Sequence, residues 1–300
     1  MPSPQPRKRF AQHWLRSSAA LDRILKAADL CKGDRILEIG PGTGILTDRL
    51  LGVARSVVAV EIDRDLCGRL VKKFGNRENF LLLQGDILEL DLDANLANFP
   101  KFQLPNKVVA NIPYNITGPI LERLLGTIAA PNPEPFEAIV LLVQKEVGDR
   151  ICAKPGSKAF GGLSVRVQYL AECEWICHVP AKAFYPPPKV DSAVVRLRPR
   201  PIDTPALDPQ FLDRLVKQGF SSRRKMLRNN LKSQVDRDRL TQFLEQLEIN
   251  PQVRAEDLGV EQWVNLSNLL FSSPPPPEGE DSAEVGEKPQ ENQEESQITQ

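Results

Sequence analysis

No apolar run in this chain approaches the ~18 residues that a membrane-spanning helix needs. Its opening residues, Met1-Pro2-Ser3-Pro4-Gln5-Pro6-Arg7-Lys8-Arg9, lack the apolar stretch of a secretory signal and are too short for a transit peptide. Cysteine is sparse: Cys31, Cys67, Cys152, Cys173 and Cys177 are odd in number and scattered, which excludes a disulfide framework and fits a reducing compartment. Cys173-Glu174-Trp175-Ile176-Cys177-His178 is the only stretch with a metal-binding flavour. It lacks the paired close spacing of a zinc site and reads as a half-buried strand, so no metal is expected. The absences together describe a soluble, cytoplasmic chain without a membrane partner.

Net charge is also absent, at 39 basic against 39 acidic residues, but the balance is uneven along the chain. Residues 272–300 carry eight acids and one lysine among Pro, Glu, Gln and Ser, a composition expected to be disordered. The rest, 1–271, holds a surplus of seven positive charges. A basic folded part allows a polyanionic partner. Three hundred residues with 41% apolar content suffice for one large or two modest cores.

Apolar strand-like runs alternate with amphipathic stretches through the first two thirds. The pattern predicts helices over 17–30, 45–51, 64–74 and 119–125, with another starting at 145. Strands are predicted over 35–39, 56–60, 80–84, 107–110 and 137–143. Such alternation means an α/β fold with a doubly wound, mostly parallel sheet. Segments 174–179 and 192–198 read as two more strands added antiparallel. A proline-rich linker at 200–205 precedes a purely helical pattern, 209–220, 222–232, 236–247 and 260–270. The expected organisation is a basic N-terminal segment (1–16), an α/β domain (17–200), a small helical domain (201–271) and the acidic tail (272–300).

In such a sheet ligands bind at the C-terminal strand ends, and four of these ends carry chemistry. The first opens into Glu38-Ile39-Gly40-Pro41-Gly42-Thr43-Gly44, a turn that brings backbone close to a ligand. A dinucleotide loop needs its third glycine five residues after the first; here Gly44 stands four after Gly40. The loop therefore suits a ligand without a pyrophosphate. Glu61 closes the second strand, 21 residues after Gly40, where a carboxylate can take both ribose hydroxyls. Asp86, after the third strand, is placed to accept from an adenine amine. Glycine turn, ribose acid and adenine acceptor describe an adenosine-type cofactor without phosphates, which S-adenosylmethionine fits best.

The fourth strand ends in Asn111-Ile112-Pro113-Tyr114. An amide, a rigid proline and an aromatic ring there can grip a planar base bearing an amine: carbonyl groups accept from the NH2 while the ring stacks on its face. Phe184, in the proline-stiffened loop before the last strand, is the candidate for the opposite face. Between 217 and 232 the helical region carries Lys217, Arg223, Arg224, Lys225, Arg228 and Lys232 and no acid. Beside a site for a nucleic-acid base this reads as a phosphate-contacting face, with strongly salt-dependent binding.

These residues resemble the ribosomal RNA adenine N6,N6-dimethyltransferases of the KsgA/RsmA type, which act on small-subunit rRNA. The resemblance covers about residues 7–270. It rests on Lys8-Arg9-Phe10-Ala11-Gln12-His13-Trp14-Leu15, the glycine loop, Val60-Glu61-Ile62-Asp63, Asn111-Ile112-Pro113-Tyr114-Asn115-Ile116 and Val143-Gln144-Lys145-Glu146-Val147. It continues in Pro186-Pro187-Pro188-Lys189-Val190-Asp191-Ser192-Ala193 and Phe220-Ser221-Ser222-Arg223-Arg224-Lys225. Ala11 and Trp14 stand where the family more often has glycine and phenylalanine. The resemblance implies a methyltransferase fold with a C-terminal helical domain. It implies cofactor contacts at His13, Leu15, Gly40, Glu61, Asp86 and Asn111, with Asn111 and Tyr114 also serving the base. It also implies dimethylation of two adjacent adenosines in the 3′-terminal hairpin of small-subunit rRNA within the immature subunit, by a monomer. Three rivals remain at this point: the sister family that dimethylates one large-subunit adenine, an assembly or transcription factor without catalysis, and a nicotinamide-dependent dehydrogenase.

Overall fold

The computed structural model describes residues 6, 7, 10 and 12–273. Lys8, Arg9 and Ala11 of the opening motif, and the acidic tail beyond residue 273, lie outside the described residues. In chain order the elements are β1 (Trp14–Leu15), α1 (Ser18–Ala28), β2 (Arg35–Ile39), α2 (Ile45–Leu51), β3 (Ser56–Glu61), α3 (Arg64–Phe74), β4 (Phe80–Gln84), α4 (Leu92–Leu96) and β5 (Lys107–Asn111). Then come α5 (Thr117–Leu125), β6 (Ala138–Gln144), α6 (Lys145–Ile151), α7 (Gly162–Leu170), β7 (Ala171–Val179), β8 (Phe184–Tyr185) and β9 (Ser192–Pro199). The chain closes with α8 (Pro209–Gly219), α9 (Leu227–Asn230), α10 (Arg237–Gln246) and α11 (Val260–Ser272). No helix among the described residues is long and apolar enough to cross a membrane.

Seven strands form one sheet in the order β4-β3-β2-β5-β6-β9-β7. The first five are parallel, as strands joined by helical crossovers must be. Their central members carry Val, Ile, Leu and Ala with almost no exposure because helices cover both faces. The two late strands join the sheet through antiparallel pairs, as the sequence predicts. β9 runs antiparallel to β6, but β7 pairs antiparallel with β9 and so points the same way as the other five. From β2 the chain winds outward through β3 and β4, then returns to place β5 on the other side of β2. The cleft above the C-terminal ends of β2 and β5 is the topological switch point, and it positions the site.

Local chemistry sets the helix ends. Ser17 Oγ accepts from Ala20 N at the start of α1, and Asp63 does the same for Asp65 N at α3. In the first turn of α7, Ser164 Oγ accepts from Gly161 N and donates to the Arg150 carbonyl. That helix was hidden in the sequence by Gly161-Gly162, which reads as a turn. The predicted helix over 222–232 is mostly a turn, with only α9 helical. Asn230 Nδ2 donates to the carbonyls of Gly219 and Ser222, and Met226 bridges to Arg254, so the segment folds back instead of continuing a helix.

One buried cluster runs from Val108, Ile139 and Leu141 in the sheet through Phe160 and Val165 to Leu215 and Trp263 of the C-terminal helices. Arg223 braces that junction, donating to the Phe160 carbonyl at 3.1 Å and pairing with Glu256 at 3.4 Å. A second cluster joins α1, α2 and the other face of the sheet to Leu15 and Phe184.

Candidate active site

The strand-end loops converge on a cavity of about 320 Å³, within the range of small-molecule sites. Its walls are Gly40 and Gly42 after β2, Glu61 and Ile62 after β3, Gly85 to Ile87 after β4, and Asn111 to Ile116 after β5. Phe10, Gln12, His13 and Trp14 close it from the N-terminal side. His13, Gly40, Glu61, Asp86, Asn111 and Tyr114 thus share one cavity. Leu15 and Phe184 do not line it: they are Cα partners across the β1–β8 pair, 3% and 4% exposed, inside the second core cluster.

The glycine loop takes its shape from backbone that side chains resist. Gly40, Gly42 and Gly44 have φ of 67°, 58° and 75°, the left-handed region where glycine is at no disadvantage. A Cβ on Gly44 would lie 2.5 Å from Phe74 Cε2, and one on Gly42 3.0 Å from Trp14 Cδ1. A side chain at Gly42 would press on the Trp14 wall, and one at Gly44 on α3 behind the loop. Glu61 holds this loop from below: Oε2 accepts from Gly42 N at 3.1 Å and Oε1 from Asp63 N at 2.9 Å. Burial lifts its carboxyl above the usual range, the two N–H groups pull it back, and the Asp63 charge adds to the rise. Asp86 Oδ1 accepts from Leu88 N at 2.9 Å, which sets the turn after β4.

Glu38, on β2 beneath the loop, is 1% exposed. Burial pushes its carboxyl up to about 8, with the Glu61 charge adding and Thr47 opposing. The folded protein therefore keeps a proton on Glu38 that the unfolded chain releases near its ordinary value. Because the native state binds more protons between about 4.5 and 8, its stability falls as pH rises through that window and levels off above it. Glu38→Gln is expected to melt like the parent near pH 4.5 and to gain on it steadily up to pH 8. The gain there is a few kcal/mol, the scale of a three-unit shift. Thermal melts of both proteins from pH 4.5 to 8.5 check this, and a constant difference across the range would contradict it.

At the end of β5, Asn111 Nδ2 donates to the His13 carbonyl at 3.1 Å. The amide nitrogen is thereby committed, and the amide's acceptor oxygen is the atom left for a ligand. His13 Nδ1 lies 2.8 Å from the Pro186 carbonyl and so donates to it. The His13 ring stacks on Tyr114, with centroids 5.9 Å apart and planes 18° from parallel. Tyr114 Oη lies 2.6 Å from Ser192 Oγ. The N-terminal segment is pinned over α3, where Gln12 Nε2 donates to Asp63 at 3.0 Å and Arg7 pairs with Asp63 and Asp65.

Gln12 and Trp14 line this site and Ser192 reaches it through Tyr114; all three fall inside the motifs of the resemblance, yet their local chemistry assigns them no role. Only contacts across the fold bring them here. The basic residues sit elsewhere, in the turn before α9 and in α9 itself. Arg223 is spent on the brace to Phe160 and Glu256, while Arg224 and Lys225 are exposed and Arg228 is half-buried. Among the described residues no group of three or more His, Cys, Asp or Glu could hold a metal.

Comparison with known proteins matches this arrangement. The family model for ribosomal RNA adenine dimethylase matches residues 4–271. The protein named ribosomal RNA small subunit methyltransferase A in Trichormus variabilis is 71% identical over 266 residues, 89% of this chain and 98% of that protein. Its namesake in Synechocystis sp. is 58% identical over 280 residues, 91% of this chain and 99% of that protein. Among solved structures, a dimethyladenosine transferase from Plasmodium falciparum superposes with a TM-score of 0.70 at 28% identity, covering 85% of this chain and 96% of its own. The 23S rRNA methyltransferase ErmE gives 0.67 at 27% identity, covering 86% and 99%. The chain belongs to the ribosomal RNA adenine dimethylase family and is an S-adenosylmethionine-dependent rRNA adenine dimethyltransferase.

Proposed function

We propose that the chain dimethylates N6 of two adjacent adenosines in the 3′-terminal hairpin of small-subunit rRNA, in the cytoplasm, late in assembly of the small subunit. The observation that carries this reading is the Asn111 amide, whose nitrogen is held by the His13 carbonyl so that its oxygen is the acceptor left for a substrate amine. The residues present fit the cofactor: a left-handed glycine loop whose Gly40 and Gly42 line the cavity without side chains, a buried carboxylate for ribose hydroxyls, and Asp86 for the adenine amine. When bound, S-adenosylmethionine supplies an electrophilic methyl carbon on a sulfonium.

An adenine amine is a weak nucleophile because its lone pair is delocalised into the ring. Asn111 Oδ1 and the Ile112 carbonyl, both accepting from N6, would localise that pair and aim it in line. Positioning of this kind can lower a barrier by several kcal/mol, and dipoles that stabilise positive charge developing on nitrogen add to it. The proton leaves after transfer, so no general base is required. Tyr114 would take the base on the ring face that His13 leaves uncovered. Phe184, buried beside Leu15, would reach the opposite face of the base only if the 184–192 loop shifts when RNA binds. Leu15 serves the cofactor site through β1, which carries His13 and Trp14 to the cavity.

Residues 201–271 would bind RNA, with Arg224, Lys225 and Arg228 on phosphates and Arg223 holding their turn in place. The enzyme would act as a monomer without a metal. The test is transfer of label from methyl-labelled S-adenosylmethionine to small subunits lacking the modification, with free rRNA as comparison and primer extension on both rRNAs. Label in two adjacent adenosines of the small-subunit hairpin is expected; label in large-subunit rRNA, or none, would overturn the reading. The family match ends at residue 271, which supports reading 272–300 as a self-shielding appendage. Removing those residues should leave turnover within a few-fold in the same assay. A collapse of activity would assign the tail a role in catalysis.

A further inference from the structure

Ser192 opens β9 and is held on both sides, by Gln144 of β6 and Val179 of β7 as Cα partners. It is 0% exposed, so its hydroxyl occupies a place set by the sheet. That hydroxyl lies 2.6 Å from Tyr114 Oη. Tyr114 stands on a less regular element: it begins a short 3-10 turn, Tyr114–Ile116, in the loop after β5, and its ring is only partly buried against the second core cluster. Packing on one side leaves the tilt of such a ring to its hydroxyl bond, and a base stacked on it would tilt with it. The loop that ends at Ser192 also touches the ring stacked on Tyr114, because the Pro186 carbonyl accepts a hydrogen bond from His13 Nδ1. One segment therefore bonds both stacked rings.

We propose that Ser192 is a positioning residue for adenine methylation: its hydroxyl, fixed in the sheet, sets the plane of the Tyr114 ring on which the target base stacks. This rests on the reading of Tyr114 as the base platform. Ser192 is not among the residues lining the cavity, so it acts through Tyr114 alone. Its effect falls on turnover with RNA and leaves cofactor binding untouched. The arrangement follows a general requirement, that a group aligning a reactant must itself be locked by a neighbour on a rigid element.

The experiment is a double-mutant cycle in the full chain on unmodified small subunits, with Ser192→Ala, Tyr114→Phe and the pair. Tyr114→Phe removes the same bond while keeping both the ring and the serine, so the cycle does not depend on one variant folding well. Each single change should lower kcat about fivefold, the scale of one hydrogen bond, with the KM for S-adenosylmethionine unchanged. The pair should be no slower than either alone, because both remove one interaction. A loss in the pair of about 25-fold, the product of two independent effects, would overturn the proposal, as would either single variant at parental kcat. Tyr114→Ala tests the platform separately. Parental turnover there would sink the platform reading itself, whereas an inactive Tyr114→Ala with an additive cycle would sink only the role of Ser192.

Discussion

Asn111→Ala is expected to lower methyl transfer on the order of 10²- to 10³-fold, the usual cost of deleting one preorganised dipole at a reacting centre. Binding of the small subunit should stay within a few-fold of the parent. The size of the loss follows from what the amide does at the end of β5. Its nitrogen is engaged with the His13 carbonyl at 3.1 Å, so its oxygen has one orientation and no search to make when the amine arrives. Alanine removes the acceptor and also frees the His13 carbonyl, loosening the N-terminal wall. Asn111→Asp separates the two effects: it keeps an acceptor of the same shape but cannot donate to His13. A severe defect in Asn111→Ala with a partial one in Asn111→Asp would assign most of the loss to the acceptor. Single-turnover label transfer with matched filter-binding of subunits measures both quantities, and near-parental turnover in Asn111→Ala would remove the amide from the mechanism.

The parts of this enzyme that are legible in its sequence are those with a strong local pattern. β2, β3 and β5 are short runs rich in Ile, Leu, Val and Ala and buried on both faces, and they stand within a residue of where apolar patterning puts them. Gly40, Glu61, Asp86 and Asn111 follow from the strands, because topology alone brings four consecutive strand ends to one cleft. Where the pattern is short, the sequence falls silent. β1 and β8 have two residues each, too few to show any period, yet their pairing carries His13 and Trp14 to the cavity. The basic stretch 222–232 has helical composition, but Asn230 bonded back to Gly219 and Ser222 outcompetes the helix. Gln12 and Ser192 are invisible for a different reason. Their roles depend on partners 51 and 78 residues away, and no local rule encodes such distances. His13 lies between these cases, since the family resemblance implies a role for it and local chemistry does not.

Glu61→Gln is expected to weaken S-adenosylmethionine binding on the order of 10²-fold, the scale of two hydrogen bonds to a charged group. Turnover at saturating cofactor should remain close to the parent. The substitution is nearly isosteric, so its effect isolates what a carboxylate can do and an amide cannot. Both oxygens of Glu61 already accept a backbone N–H, from Gly42 at 3.1 Å and from Asp63 at 2.9 Å. Their remaining lone pairs are what ribose hydroxyls would meet. A glutamine has one acceptor, and whichever way it turns, its NH2 faces one of those N–H groups. Donor against donor in a site only 5% exposed leaves both unsatisfied, and a buried unsatisfied donor costs about 1–3 kcal/mol. The backbone at Gly42 is the part able to give way, and that movement carries the glycine cradle off the ligand. Calorimetric titration with S-adenosylmethionine reads the affinity directly and the KM-against-kcat split reads it in turnover. Cofactor affinity within threefold of the parent would show that the ribose is held elsewhere, and that Glu61 serves only to shape the loop.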